Sequence, residues 1–551
     1  MHILDYIVLF GYFILITVYG LWVARKLSGT EGYFRGDRKF KWWIMMGQAF
    51  GTGTHAEMPV AQTGASYHLG FATIWYQWKN MLITPFYWLL GPIYRRTNRT
   101  TIGEILEDRY GKNIGLVYSV FAIFFFVFNM GAMLQGAAKV ISVASNYQIS
   151  PNAIVIIMTA AFMLYSFFGG LIAAVKTEFI QSFLIIVLSF LLIPLGLKEV
   201  DGIAGMKAAL PAEFFELYNK TSGLTVFTIA MLALNGIVGI TAQPHMVSMY
   251  ATGNSERAGR VGQTFGSLVK RLCTVGWAFT GLIVAALWVT KGDTLADPEL
   301  AFGYACKTLL TPGLFGLMIA AIVAANMSTC SNFMVNTGAL FTKNLYLKVS
   351  KDADDKKLLL IGRLSGLGLA ILGVVFALTI KNVLHAFLFT ETIAAFMGII
   401  FLGGVLWKGA NRYGAIAAIL SSFFVYYLLN YMAQGELMLV YKWTPEVFGW
   451  AILAGSLFFI IVSLVTKPED PEKLVVFFGQ LEKSSDTKDI EEGNILAKNV
   501  GKDLLMVDLP GWFRKERWHN FFQRYKEDLS GFLWSWVMVA ILILIAWFII
   551  N

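Results

Sequence analysis

The chain of 551 residues is 57% hydrophobic and 14% charged, with a mean hydropathy of +0.62. Soluble globular chains run at about 45–50% apolar and about 25% charged, so a soluble enzyme, a disordered protein and a nucleic-acid binder are poor fits. The net charge of +9 would point to nucleic acid in a soluble chain, but here the placement of the charges matters more than their sum. Cys273, Cys306 and Cys330 have no short spacing and form neither a disulfide framework nor a metal knuckle.

Apolar segments long enough for the hydrocarbon core recur at 5–24, 43–68, 72–94, 115–145, 152–168, 175–197, 224–248, 265–290, 313–342, 358–380, 384–406, 413–432, 445–466 and 530–550. That is about fourteen spans at about 20 residues each. The first contains Asp5 and is followed by no small-residue cleavage site, so it reads as a retained helix. Arg25 to Lys41 follow the first span, Arg95, Arg96 and Arg99 the third, Arg257 and Arg260 the seventh, Lys343 to Lys357 the ninth, and Lys408 and Arg412 the eleventh. All fall on one face if each span crosses once; that face is cytoplasmic, which places the N-terminus outside.

The second span carries Gly51, Gly53, Thr54, His55, Glu57 and Pro59 in one stretch. Glycine, proline and ionisable groups at that depth weaken a helix and free carbonyls, as in the broken helices that build ion sites in transporters. A kink for close packing is the other reading. His55 and Glu57, at i and i+2, would not face each other on a continuous helix. Trp75, Tyr76, Trp78, Tyr87 and Trp88 form an aromatic group suited to stacking or to an interfacial belt.

Glu178 sits just inside the sixth span, where an ionisable group is a functional hypothesis, with a snorkelling acid beside Lys176 the alternative. Asn326, Ser328, Thr329 and Ser331 in the ninth span suit either helix packing or a hard-oxygen cation site. His385 and Glu391 lie within the eleventh. In the polar stretch 467–529, Trp512, Phe513, Trp518, Phe521 and Phe522 alternate with Arg514, Lys515 and Arg517, as in an interfacial amphipathic helix or a partner-binding one.

Four stretches together resemble the sodium/solute symporter family, which includes sodium-coupled sugar, proline and sialic acid carriers. They are Tyr33 to Arg38 with Trp42-Trp43, Gly169-Gly170-Leu171 through Thr177, Glu178 and Gln181, Met327-Ser328-Thr329 running on to Tyr346, and Trp407-Lys408 with Gly414-Ala415. The resemblance implies an all-α polytopic protein of the cell membrane, plasma or bacterial inner. Its leucine-transporter-type core would have two inverted five-helix repeats, at 43–197 and 224–406. It also implies alternating access rather than enzyme chemistry. Sodium is the coupling ion and no other cofactor is expected. By position, the ion would take the carbonyls of Gly51, Thr54 and Ala325 and the hydroxyls of Ser328 and Thr329, with Glu178 near the ion's exit in place of the family's Asp.

Tyr76, Gln77, Asn80, Asn129 and Asn235 are the substrate-binding expectations by the same resemblance. Where the sugar carriers have a polar ligand and a tyrosine gate, this chain has Met58 and Val238. A sugar or polyol is favoured, with an amino acid, organic acid or other osmolyte, or a transporter-like sensor module, as alternatives. No basic residue except Lys79 is expected at the cavity, which disfavours a strongly anionic solute. The expected partners are the solute, Na⁺ and the bilayer, not nucleic acid; a homo-oligomer is left open.

Overall fold

The computed structural model describes residues 2–24, 40–52, 54–55, 57–160, 163, 183–184, 187, 190–220, 223–292, 294–350, 354–482, 504–513 and 515–550. The motifs at 33–38 and 169–181, including Glu178, lie outside the described residues. Among the described residues there is no strand, only the isolated bridges Phe40–Gly253 and Asn219–Leu224.

The helices are α1 (Ile3–Ala24), α2 (Trp42–Thr52), α3 (Glu57–Leu69), α4 (Trp75–Arg96), α5 (Ile102–Tyr110), α6 (Lys112–Ala144) and α7 (Pro151–Ala160) in the first part. The second part has α8 (Val226–Thr241), α9 (Met246–Ala251), α10 (Glu256–Lys291), α11 (Ala301–Leu309), α12 (Leu314–Leu340), α13 (Asp355–Ala377) and α14 (Val383–Leu406). Then come α15 (Arg412–Gln434), α16 (Pro445–Val465) and α17 (Lys526–Ile550). Eight described helices are long and apolar enough to cross a bilayer, and three shorter apolar ones join them.

Two spans are interrupted. The first is broken between α2 and α3, where Pro59 withholds an N–H from His55 and its ring crowds that carbonyl. The second is broken between α8 and α9, where Pro244 drives Gln243 out of the helical region. Only the first break was expected; the Gln243-Pro244 pair is the signal for the second.

Helix α10 runs past α2, α3 and α4 and ties the first part to the second. Its Gly262 and Gly266, one turn apart, make this approach possible: a Cβ there would meet Met45 Cβ at 2.4 Å and the Met46 carbonyl at 2.6 Å. This is the small-residue face by which membrane helices pack closely. Asp5 explains itself by capping: its Oδ1 accepts the N–H groups of Gly313 and Gly316 at 2.7 and 2.9 Å, at the start of α12. A carboxylate there complements the helix dipole.

Helix α14 is held the same way at both ends. The Glu299 carboxylate accepts the N–H groups of Val383 and Leu384 at 3.1 and 3.0 Å. It also pairs with Lys139 at 2.5 Å, and Lys139 pairs with Asp297 at 2.7 Å. At the other end the Arg109 guanidinium donates to the carbonyls of Gly404, Trp407 and Ala410 at 2.8, 3.0 and 2.9 Å.

The aromatic–basic segment near residue 515 forms three short turns, Leu509–Phe513, Lys515–Trp518 and Phe521–Arg524, rather than one helix. Trp512 and Phe521 pack with Trp88 and Tyr525, whereas Trp518 and Phe522 remain exposed. Arg260 fixes this corner through a 2.5 Å ion pair to Asp528, whose other oxygen accepts the Leu505 N–H. Part of the segment's apolar surface is thus spent on docking to the bundle.

Candidate solute and ion site

The two breaks face a common cavity of about 70 Å³. His55 reaches it from the first break, and Gln243 and His245 from the second. Met58 of α3, Asn80 and Tyr87 of α4, Asn129 of α6 and Phe333 of α12 contribute to its wall. Ser267, Lys270 and Arg271 enter from α10, and Phe387 and Glu391 from α14.

Charge is the main feature of this cavity. Glu391 forms an ion pair with the fully buried Lys79, and its Oε1 accepts the Asn80 amide at 3.0 Å. His55 and Glu57 also form a pair, because the break turns the chain between them: Met58 N–H donates to the His55 carbonyl at 3.1 Å. The objection that i and i+2 cannot meet applies to a helix, and this stretch is not one. Arg271 donates to the Gln77 carbonyl at 3.4 Å, while its own carbonyl accepts the Trp78 indole N–H at 3.0 Å. Lys270 makes no ion pair or hydrogen bond among the described residues.

The expected ion ligands come from adjacent elements, since α2 packs against α12. The Gly51 carbonyl accepts the Thr54 N–H at 3.1 Å, and the Thr54 hydroxyl is buried with no hydrogen-bond partner. On α12 the Thr329 hydroxyl donates to the Ala325 carbonyl at 3.1 Å. Ser328 lies in the same turn, with its side chain outside the described residues. Neutral carbonyl and hydroxyl oxygens are the ligand type a hard cation takes.

The expected substrate residues divide. Asn80 and Asn129 line the cavity. Gln77 instead donates to the Met58 carbonyl at 2.7 Å, joining α4 to α3. Asn235 donates to the Thr392 hydroxyl at 2.9 Å, joining α8 to α14. Tyr76 faces a second cavity of about 440 Å³ near the start of α14, together with His68, Asp297, His385 and Lys442. The expectation that Lys79 is the sole cation near the central cavity does not hold: Lys270 and Arg271 both line it. The signal was a Lys-Arg pair inside the apolar stretch 265–290.

A chain with two discontinuous helices around a charged central cavity has the parts of a secondary transporter, and the comparisons agree. The model of the sodium:solute symporter family matches residues 33–421. The chain belongs to the sodium:solute symporter family. It is 26% identical over 473 residues to the osmoregulated proline transporter of Bacillus subtilis, covering 83% of this chain and 94% of that one. It is 23% identical over 458 residues to a sodium/glucose cotransporter of Vibrio parahaemolyticus, covering 76% and 83%.

Its fold is that of a Na⁺-coupled sialic acid symporter solved in a substrate-bound outward-open state. The TM-score is 0.72 at 18% identity, over 85% of this chain and 99% of that one. The symporter is thus a multi-pass membrane protein that couples solute movement to sodium.

Proposed function

We propose that the central cavity is the solute site of Na⁺-coupled uptake by alternating access. The sodium ion would be held by the carbonyls of Gly51, Thr54 and Ala325 and the hydroxyls of Ser328 and Thr329. The observation that carries this reading is the break after α2, which packs against α12: it holds the Gly51 and Thr54 carbonyls and leaves the Thr54 hydroxyl, a further oxygen donor, buried without a partner. About fourteen spans, an external N-terminus and inverted repeats at 43–197 and 224–406 complete the proposal. In that orientation the Lys139–Asp297–Glu299 cluster lies on the outer side and the Arg109 cap on the inner. Glu178 is proposed near the ion's exit, and Asn80 and Asn129 as polar solute contacts. Tyr76 then faces the outer approach, and Gln77 and Asn235 hold the wall.

Five neutral oxygens bind sodium weakly enough to release it. Sodium bound at the break favours the same conformation that the solute prefers, so their affinities are reciprocally linked. The membrane potential adds about 2.3 kcal/mol per charge per 100 mV to inward movement. A small polar solute is the cargo, as the proline, glucose and sialic acid named for the related proteins are.

The test is uptake into proteoliposomes under an imposed sodium gradient. Ser328→Ala combined with Thr329→Ala should raise the sodium concentration for half-maximal uptake about tenfold, the equivalent of about 1.4 kcal/mol of lost ion binding. An unchanged sodium dependence would sink the ion-site assignment.

A further inference from the structure

We propose that the solute is a small carboxylate anion carrying no compensating ammonium, and that Lys270 and Arg271 of α10 hold its carboxylate. This rests on the reading of the central cavity as the solute site, and it narrows that reading to a chemical class.

Lys270 and Arg271 are 4% and 3% exposed, and both line the cavity. The Arg271 Nε is buried without a hydrogen-bond partner. Lys270 makes no hydrogen bond or ion pair among the described residues. Of the two carboxylates nearby, Glu391 is engaged by Lys79 and Asn80, and Glu57 lies against His55. Three cations, Lys79, Lys270 and Arg271, therefore face two carboxylates, with each histidine counted as neutral.

Adjacent buried cations without a counter-ion are costly, and removing them from water is repaid only by an opposite charge with good hydrogen bonds. Intramembrane charges of this kind face a cavity and mark the path of what is carried. The planar guanidinium fork matches a carboxylate, and the adjacent ammonium adds a point charge. The missing counter-ion is thus part of the cargo.

The rest of the wall sets the size. Phe125, Phe333 and Phe387 close the cavity with apolar surface, while Asn129 and Ser267 offer hydrogen bonds to a hydroxyl. At about 70 Å³ the central cavity is much smaller than the second cavity of about 440 Å³, which favours a small solute in this conformation. The proposed sodium site holds no carboxylate, so an anionic solute also offsets the ion's charge, which is a direct physical reason for the two to bind together.

The experiment offers sodium-driven proteoliposomes labelled acetate, lactate, glucose, myo-inositol and proline. In parallel, it measures thermal stabilisation of the solubilised protein by each compound at saturating sodium. Acetate or lactate is expected to be taken up and to stabilise the protein. Lys270→Met and Arg271→Gln should each raise its KM about tenfold or more, the loss of one charge-assisted contact, and Arg271→Lys should recover part of it. Preference for glucose, inositol or proline overturns the inference, as does stabilisation by neither carboxylate. An unchanged KM in both charge-removing variants does the same. Carboxylate uptake driven by protons and indifferent to sodium would overturn the coupling-ion reading and leave this one standing.

Discussion

Helix α14 passes through two clusters of charge that differ in balance. At its start Lys139 meets both Asp297 and Glu299, and Glu299 is further engaged by two backbone N–H groups. Every charge there has a partner within the protein. At mid-helix Glu391 meets Lys79 and Asn80, while Lys270 and Arg271 across the cavity form no ion pair among the described residues, which leaves three cations to two carboxylates there. The cluster at the helix start has one carboxylate more than Lys139 neutralises, but two backbone N–H groups take up Glu299, so it is a latch that the protein closes by itself. The central cluster has an excess of cation instead, and it is completed only by something that arrives from outside.

The sharpest way to break this comparison is Glu391→Gln, which strands Lys79 in the bundle with no anion. Removing one partner of a buried pair costs about 3–5 kcal/mol. A large fall in the midpoint of thermal unfolding in detergent is expected, and Lys79→Met in the same background should restore most of it. An unchanged midpoint would mean that the pair does not hold α4 to α14.

Lys139→Met should have a smaller effect, because Glu299 keeps its two N–H contacts. By the proposed orientation it loosens the outer side. A single cysteine introduced at His68 should then be labelled several-fold faster by an impermeant maleimide. The native cysteines are buried and give little background. Equal labelling rates would remove the cluster from any role as an outer latch.

The smallest effect belongs to a latch far from the cavity, Arg412–Glu469, closed at 2.6 Å. Burial alone would raise the Glu469 pKa, but the Arg412 guanidinium and backbone N–H outweigh it and hold the carboxyl below its usual value. A depressed folded-state pKa contributes stability above the unfolded carboxyl range that is lost as pH falls through the depressed value. Stability should therefore decline somewhat below about pH 4, and Glu469→Gln should flatten that decline in melts taken from pH 7 downward. A decline of equal depth in the variant would assign the acid sensitivity to other groups.

Much of this architecture was legible along the chain. Glycine and Pro59 announced the first break because backbone chemistry is local: Pro59 acts on His55 whatever surrounds it. Pro244 was equally local, flanked by Gln243 and His245, but no glycine stands beside it as Gly51 and Gly53 stand at the first break. The site was less legible. Asn80 and Asn129 line the central cavity, while Tyr76 opens into the second cavity, and Gln77 and Asn235 are spent on interhelical hydrogen bonds. His385, an intramembrane candidate like Glu391, lies with Tyr76 in that second cavity rather than in the central one.

By itself the sequence determined the solvent, one of the two interruptions and the family, because these depend on composition, local backbone chemistry and ordered motifs. Only the tertiary structure decided which polar side chains meet. Lys79 and Glu391 are far apart in the chain, and Lys270 and Arg271 lie in a stretch of α10 that neighbouring helices largely enclose. In water a surface helix shows its inner face by amphipathicity. A helix enclosed by others has no polar outer face to mark the opposite direction. The inward direction is therefore set by the neighbours of α10, which approach through Gly262 and Gly266 and leave Lys270 and Arg271 facing the cavity.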